Sequence, residues 1–136
     1  MNNKQKVTVE LCNDHFQLIN SKKADDLNPK ALMLCAAAQC AGYTLMSILH
    51  KDKIAPKSIE ISAEGLLSTP TLQPASEYES FMVSYNVECQ NIEDQEAVSE
   101  AVLKTHKEKC GVIAMLRKIA PVSHKISVVS TEQVNI

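Results

Sequence analysis

Two of the five cysteines stand where a thiol could do chemistry. Cys40 lies inside an alanine-rich apolar run that extends from Ala31 to Leu49, and Cys110 directly precedes a second apolar run that begins at Gly111. Neither cysteine belongs to a Cys-x-x-Cys pair, which argues against a metal knuckle and against a thioredoxin-type redox motif. Two distant thiols, each on or beside a helix, are one way to assemble a centre that reduces peroxides.

Each of these two cysteines also has a simpler interpretation. Peroxide attack needs a thiolate, whereas a cysteine in the middle of an alanine-rich helix is commonly an inert core residue. Cys110 has better local chemistry, because a helix that restarts at Gly111 would favour a thiolate at its N-terminus and Lys107 and Lys109 add positive charge. The alternative is that Cys110 fills a gap at a helix joint.

The other three cysteines show no pattern of a reactive thiol. Cys35 precedes Cys40 by five residues, or about 140° around a helix, so the two thiols do not share a face. Cys12 and Cys89 fall at the ends of predicted strands and are interpreted as packing residues.

Other kinds of site are not supported by the sequence. The four histidines fall in different predicted elements without ligand spacing, so no metal site is expected; they are His15, His50, His106 and His124. Gly-rich phosphate loops and Ser-His-Asp signatures are absent, and no cofactor is expected. The only arginine, Arg117, lies two helical turns and roughly 10 Å beyond Cys110, and is expected to be exposed and out of contact with it.

Composition limits the function classes further. A chain of 136 residues is long enough for a single domain with a real core, expected to span residues 1–136. The formal charge of −2, the two Phe and three Tyr and the lack of Trp argue against a nucleic-acid partner. The polar N-terminus resembles neither a signal peptide nor a transit peptide, and the odd cysteine count favours a reduced, cytoplasmic protein.

The periodicity predicts the element order ββ-α-ββ-αα-β. Alternation over residues 7–11 and 16–18, joined at Asn13-Asp14, predicts a hairpin, and further strands are predicted to end near Leu67, to cover residues 81–89 and to cover residues 124–130. Residues 21–27, 51–57 and 68–78 are expected connectors. Helical spacing over residues 91–109 continues to residue 119 after a kink or restart at Gly111, and the tail after Thr131 has no pattern.

The longest predicted element is a helix that starts at Asn28-Pro29 and runs to about Lys51. Asn28 is a good N-cap and proline suits the first helical position. Gln39, Thr44 and Ser47 interrupt the apolar run, so a buried helix is favoured over a membrane span. A helix apolar on nearly all sides needs cover from protein on all sides, which in a chain this short favours a homodimer.

The predicted element order, together with three stretches of the sequence, resembles the OsmC/Ohr family of thiol-dependent hydroperoxide-reducing proteins. The segment around that family's reactive cysteine is similar to Ala36-Ala-Ala-Gln-Cys40-Ala, in which Cys40 lies eleven residues after Pro29. Lys107-Glu-Lys-Cys110-Gly-Val is similar to the segment of its second cysteine, and residues 121–129 are similar to its closing strand. The resemblance covers nearly the whole chain.

The resemblance implies an α+β fold in which antiparallel sheet wraps around a long central helix, in an intertwined homodimer. It also implies that Cys40 attacks a hydroperoxide and that the neighbouring Cys110 resolves the oxidised product. A dithiol would serve as the reductant, and the sequence does not identify it. The family's peroxidases carry an arginine from the N-terminal β region and a glutamate ten residues before the reactive cysteine. Here that position is Lys30, and no arginine precedes Arg117.

These departures leave two functions to compare. The first is a weak thiol-dependent reductase of organic or lipid hydroperoxides that uses Cys40 and Cys110, with Lys30 either supplying some of the missing charge or simply solvated. The second is a non-catalytic dimer that binds a small apolar ligand or a partner in a pocket around Cys40.

Overall fold

The computed structural model describes residues 3–132 and shows a five-stranded sheet with helices packed on it. Strands β1 (Lys4–Cys12), β2 (His15–Leu18), β3 (Pro56–Leu67), β4 (Tyr78–Cys89) and β5 (Val122–Ser130) lie in the order β2-β1-β3-β4-β5. The helices are α1 (Pro29–Lys51), α2 (Gln95–Lys104) and α3 (Gly111–Arg117). This is the predicted mixed α+β fold and the predicted element order; the end of the patternless tail, residues 133–136, lies outside the described residues.

The predicted N-terminal hairpin is confirmed. Asn13 and Asp14 both have positive φ, of 50° and 68°, which is the geometry of a two-residue hairpin turn. The following connector contains two short 3₁₀ turns, Ile19–Ser21 and Ala24–Asp26.

The predicted caps set the start of α1. The Asn28 side chain accepts a hydrogen bond from the backbone N–H of Ala31 at 3.0 Å, and Pro29 occupies the first helical position. The helix then runs for 23 residues. Length and composition alone would also suit a membrane span, but here one face of α1 packs in the core of the protein.

The face of α1 that points at the sheet is built from small and branched apolar residues. Its fully buried members are Leu34, Ala37, Ala38, Ala41, Leu45 and Leu49. They pack against inward residues of β1 and β3 such as Val9 and Ile61. The opposite face is not covered: Leu32, Met33 and Tyr43 are exposed in this single chain. The expectation that protein surrounds the helix on all sides is therefore not met within one subunit.

Two strands are longer than predicted. Both β3 and β4 have 12 residues, and they pair antiparallel along nearly their whole length. The register shift at Pro56 marks the irregular start of β3, which lay inside the expected connector.

The last strand differs in direction from the sequence prediction. β5 pairs with β4 in parallel, from Phe81 opposite Val122 to Cys89 opposite Ser130. The sheet is therefore antiparallel except at this edge. The physical reason is the connection: α2 and α3 carry the chain back across the sheet between β4 and β5, and such a crossover returns a strand in parallel.

The expected break near Gly111 has a definite geometry. After α2 the chain forms one wide turn, Thr105–Lys109, closed by a hydrogen bond from the backbone N–H of Cys110 to the carbonyl of Thr105 at 3.0 Å. This is π-helical bonding, which occurs mostly as single turns and often at functional sites. Cys110 itself is extended, with φ −83° and ψ 109°, and α3 begins at Gly111.

Candidate active site

The wide turn brings the two chemically interesting cysteines together. Cys40 lies half-buried in the middle of α1, and Cys110 lies at the junction of the turn and α3, 2% exposed. The elements that carry them pack together, and the Cys40 side chain is near enough to act on the pKa of Cys110, although 70 positions separate the two residues in sequence. All five cysteines are free thiols in the structure.

Burial controls the proton on Cys110. Desolvation, and then the neighbouring Cys40 side chain, raise the pKa of the Cys110 thiol to about 12, while the backbone N–H groups of Ile113 and Val112 lower it by less. The prediction that Cys110 has thiolate character is therefore wrong: the start of α3 does act on this sulfur, but burial outweighs it. At neutral pH, Cys110 is a proton-holding thiol beside Cys40.

The remaining cysteines lie apart from this pair. Cys35 is buried on the sheet side of α1, where desolvation raises its pKa. Cys89 is buried at the end of β4, with its thiol 3.5 Å from the carbonyls of Asn91 and Val129, as expected of a packing residue. Cys12 is exposed at the end of β1, so its interpretation as a packing residue is wrong.

A buried polar pair lies close to the thiols and was not singled out from the sequence. The hydroxyl of Tyr85, on β4, is 2.7 Å from Nδ1 of His106, on the wide turn. These side chains are 1% and 2% exposed, and their rings meet edge to face. The pKa of Tyr85 is raised by burial first and then by the charge that Cys110 and Cys40 would carry. Tyr85 therefore lies within electrostatic reach of both sulfurs.

A signal for His106 was present in the sequence. It follows Val102 by four residues and Val98 by eight, so it continues the buried stripe of α2. Likewise, Tyr85 occupies an inward position in the alternation of β4. A histidine and a tyrosine on converging buried faces need each other as hydrogen-bond partners.

The exposed arginine has a structural role that the sequence did not reveal. Arg117 is exposed, as expected, but its guanidinium donates hydrogen bonds to the backbone carbonyls of His106 and Lys107. It thereby satisfies carbonyl groups that the wide turn leaves open. Its charge also lowers the pKa of His106 and acts against the raised pKa of Tyr85.

Lys30 does not supply charge to Cys40. The ten residues between them place Lys30 roughly 15 Å away along α1. Its ammonium instead donates to the carbonyls of Gln73 and Pro74, at 3.1 and 3.0 Å, and so anchors the loop between β3 and β4. Lys30 is neither a replacement for an arginine nor simply solvated.

A surface groove of about 680 Å³ runs between α1 and α2. Its lining mixes apolar groups such as Tyr43 and Ile48 with the ammonium groups of Lys104 and Lys109. Cys40 is not among the lining residues, so this groove is not the apolar pocket around Cys40 that one hypothesis required. Within residues 3–132, no three His, Cys, Asp or Glu side chains are grouped to hold a metal ion.

Comparison with known proteins identifies the family. A family model described as "OsmC-like protein" matches residues 22–125, which include α1, both thiols and the start of β5. The chain belongs to the OsmC-like family. No curated protein matches its sequence significantly.

Solved structures show the same OsmC-like fold at low sequence identity. A hypothetical protein from Aquifex aeolicus superposes with a TM-score of 0.64 at 22% identity, covering 98% of this chain and 100% of that one. The organic hydroperoxide resistance protein OhrB of Bacillus subtilis gives 0.56 at 19% identity, covering 83% and 82%. The organic hydroperoxide resistance protein OsmC from Legionella pneumophila gives 0.55 at 14%, covering 90% and 96%.

Proposed function

We propose that this OsmC-like protein is a thiol-dependent reductase of organic hydroperoxides in which Cys40 attacks and Cys110 resolves. The observation that carries the proposal is the nearness of these two thiols, which the packing of the wide turn and α3 on α1 creates from distant parts of the chain. Membership of the family, and the hydroperoxide resistance proteins among its structural neighbours, support the substrate class.

The reaction follows from the two thiols. The Cys40 thiolate attacks the terminal oxygen of the hydroperoxide, the O–O bond breaks, and Cys40 becomes a sulfenic acid while the alkoxide leaves and takes a proton. The Cys110 thiol then displaces water from the sulfenic acid and forms a disulfide with Cys40. An external dithiol of unidentified nature reduces the disulfide and restores both thiols.

The proposed activity is weak. No arginine precedes Arg117, and Lys30 occupies the place of the family's glutamate, so the reacting oxygens lack those fixed charges. Losing one such preorganised donor commonly costs about 10² to 10³ in rate. We expect cumene hydroperoxide to be consumed with dithiothreitol more slowly than by a family member that has both groups.

The test compares the wild type with Cys40→Ser, and with Cys35→Ser as a matched control on the same helix. We expect Cys40→Ser to abolish turnover and Cys35→Ser to leave it intact. Peptide mapping after one equivalent of peroxide should find a Cys40–Cys110 link that dithiothreitol reverses. Equal turnover by wild type and Cys40→Ser, or scattered pairing among the cysteines, would contradict the proposal.

The missing arginine favours one alternative, a non-catalytic dimer that binds a small apolar ligand or partner near Cys40. If this alternative is right, the wild type should consume peroxide no faster than Cys40→Ser does. Both proteins should also bind an apolar probe tightly.

A homodimer is part of the proposal for either function. Met33, Ala36, Cys40 and Tyr43 follow one another at three- and four-residue spacing, and they form a largely exposed apolar stripe on α1 that includes the reactive thiol. A second copy of the chain that covers this stripe would shield Cys40 from water. The free thiols suit the reducing cytoplasm, where we place the protein.

A further inference from the structure

The buried Tyr85–His106 pair is connected to the surface by a second histidine. The ring of His124, on β5, lies with its centroid 4.7 Å from that of His106, and His124 is exposed. His124 pairs with Val83 in the parallel register, two residues before Tyr85, so His124 and Tyr85 point to the same face of the sheet. Three proton-carrying side chains therefore lead from solvent to the neighbourhood of the thiols.

One atom of this series has no partner. Nε2 of His106 is buried and makes no hydrogen bond within the described part of the chain. A buried N–H without a partner is rarer in proteins than a buried acceptor without one. The neutral ring is therefore better accommodated with its proton on Nδ1, which then donates to the Tyr85 oxygen across 2.7 Å. In that arrangement the phenolic proton of Tyr85 is free to donate elsewhere.

We propose that Tyr85, His106 and His124 form a proton relay that protonates the alkoxide released when Cys40 reduces an alkyl hydroperoxide. The inference rests on the proposed reductase function and deepens it. In this proposal Tyr85 is the catalytic residue and donates its phenolic proton to the leaving oxygen; His106 and His124 act through it.

The proton transfers balance along the series. As sulfur bonds to the terminal peroxide oxygen and the O–O bond breaks, the alkoxide takes the phenolic proton of Tyr85 and leaves as the alcohol. The Tyr85 oxygen takes the Nδ1 proton of His106. His106 is then reset by a proton that reaches its Nε2 from solvent past the adjacent ring of His124, which lies against it but is not hydrogen-bonded to Nε2 in the resting state. The net result is uptake of one proton from water, with the hydroperoxide as the only oxidant.

The surrounding charges keep the relay in its neutral form. His106 faces His124 on β5, Arg117 on α3 and Lys107 on its own turn; these groups and, above all, burial lower its pKa to about 4. At neutral pH His106 therefore passes a proton by exchanging tautomers and not as a resident cation. The relay protonates the leaving group. This chain lacks the family's arginine and therefore has no fixed hydrogen-bond donor at that position.

The decisive experiment varies the leaving group. We would measure the second-order rate of Cys40 oxidation in Tyr85→Phe with cumene hydroperoxide, whose alkoxide must be protonated, and with peracetic acid, whose acetate needs no proton. Loss of a general acid typically costs 10²-fold or more, so we expect a loss of about that size with cumene hydroperoxide and an unchanged rate with peracetic acid. Tyr78→Phe, which removes another buried hydroxyl from β4, is the matched control and should change neither rate.

Two further measurements keep the proposal falsifiable if Tyr85→Phe folds poorly. Exposed His124 can be changed to Gln without disturbing the core, and we expect a slower reaction with cumene hydroperoxide but not with peracetic acid. Nitrogen-15 NMR of the wild type should find the His106 proton on Nδ1. A proton on Nε2, or an equal loss with both oxidants, would overturn the relay.

The outcomes separate this inference from the proposed function. If wild type oxidises no faster with cumene hydroperoxide than Cys40→Ser, the reductase function fails and the relay fails with it. If wild type is faster than Cys40→Ser but Tyr85→Phe equals wild type, only the relay is overturned.

Discussion

The protonation of single residues at this site is decided by burial, which overrides local sequence. Lys107, Lys109 and a helix start next to Cys110 all argue for a thiolate, yet its pKa is raised to about 12. The sequence cannot reveal this, because the burial of Cys110 depends on α1, about 70 positions away. A protonated Cys110 is consistent with the resolving role proposed for it, since a resolving thiol should react only after Cys40 has been oxidised.

His106 gives a residue-scale prediction about acid stability. Its pKa is lowered from 6.5 to about 4 in the folded protein, so the unfolded chain binds a proton first as the pH falls. Stability from this residue is fully present above pH 6.5 and is lost progressively towards pH 4. Between pH 7 and pH 5 we expect the free energy of unfolding to drop by roughly 2 kcal/mol on account of His106. Urea titrations at the two pH values measure the drop.

A pair of glutamine variants isolates this contribution from other titrating groups. His106→Gln should lose that part of the pH dependence, although it lowers stability at pH 7. Exposed His50→Gln should keep the full dependence. If all three proteins lose the same free energy between pH 7 and pH 5, His106 is not the titrating group.

At the scale of elements, one glycine determines how the N-terminal hairpin meets the long helix. From sequence, Gly42 is merely a tolerated weakness in α1. In the structure the Phe16 ring of β2 packs directly on Gly42, and a Cβ added to Gly42 would lie only 2.7 Å from Cζ of that ring. Tyr43 and Gln39 hold Phe16 there: the Tyr43 hydroxyl accepts from its N–H at 3.2 Å, and the Gln39 amide donates to its carbonyl at 3.0 Å.

We predict that Gly42→Ala destabilises the protein although alanine is the better helix former. Overpacking against the buried Phe16 ring costs about 1–3 kcal/mol, which exceeds the gain of up to about 1 kcal/mol in helix propensity. Thermal or urea unfolding measures the net loss.

Gly111→Ala is the matched control, because nothing lies within 4 Å of a Cβ built there. It should be neutral or slightly stabilising. In a double-mutant cycle, Phe16→Leu should reduce the cost of Gly42→Ala, since the ring that clashes is gone. Additive effects of the two substitutions would show that Phe16 does not cause the loss.

For the whole molecule, the sequence predicted the order of elements better than their assembly. Alternation and helical spacing located all five strands and the long helix, since these patterns arise from the chain's own periodicity. The parallel pairing of β5 and the Tyr85–His106 contact were missed, because both depend on how α2 and the wide turn cross the sheet. The nearness of Cys40 and Cys110 came from the family resemblance and not from any local pattern.

The last prediction concerns the oligomer, because a single chain exposes large apolar side chains on the helices that carry and adjoin Cys40. Met33 on α1 and Met115 on α3 are 39% and 59% exposed, and α1 and α3 are packed neighbours. Contiguous exposed apolar patches on soluble proteins commonly mark interaction sites. We expect light scattering at micromolar concentration to give a particle of twice the 15.0 kDa chain mass.

Substitutions on and off this surface test whether it forms the interface. Met33→Glu would place a charge in the buried centre of a dimer and should shift the protein to monomer at low micromolar concentration. Val129→Glu, on the edge strand β5, introduces the same charge at another exposed apolar residue and should leave the dimer intact. Dissociation should also expose Cys40, so iodoacetamide should alkylate that thiol faster in Met33→Glu than in Val129→Glu. A wild-type particle of 15 kDa, or a dimer that survives Met33→Glu, would mean that the stripe around Cys40 faces solvent and that one subunit alone forms the site.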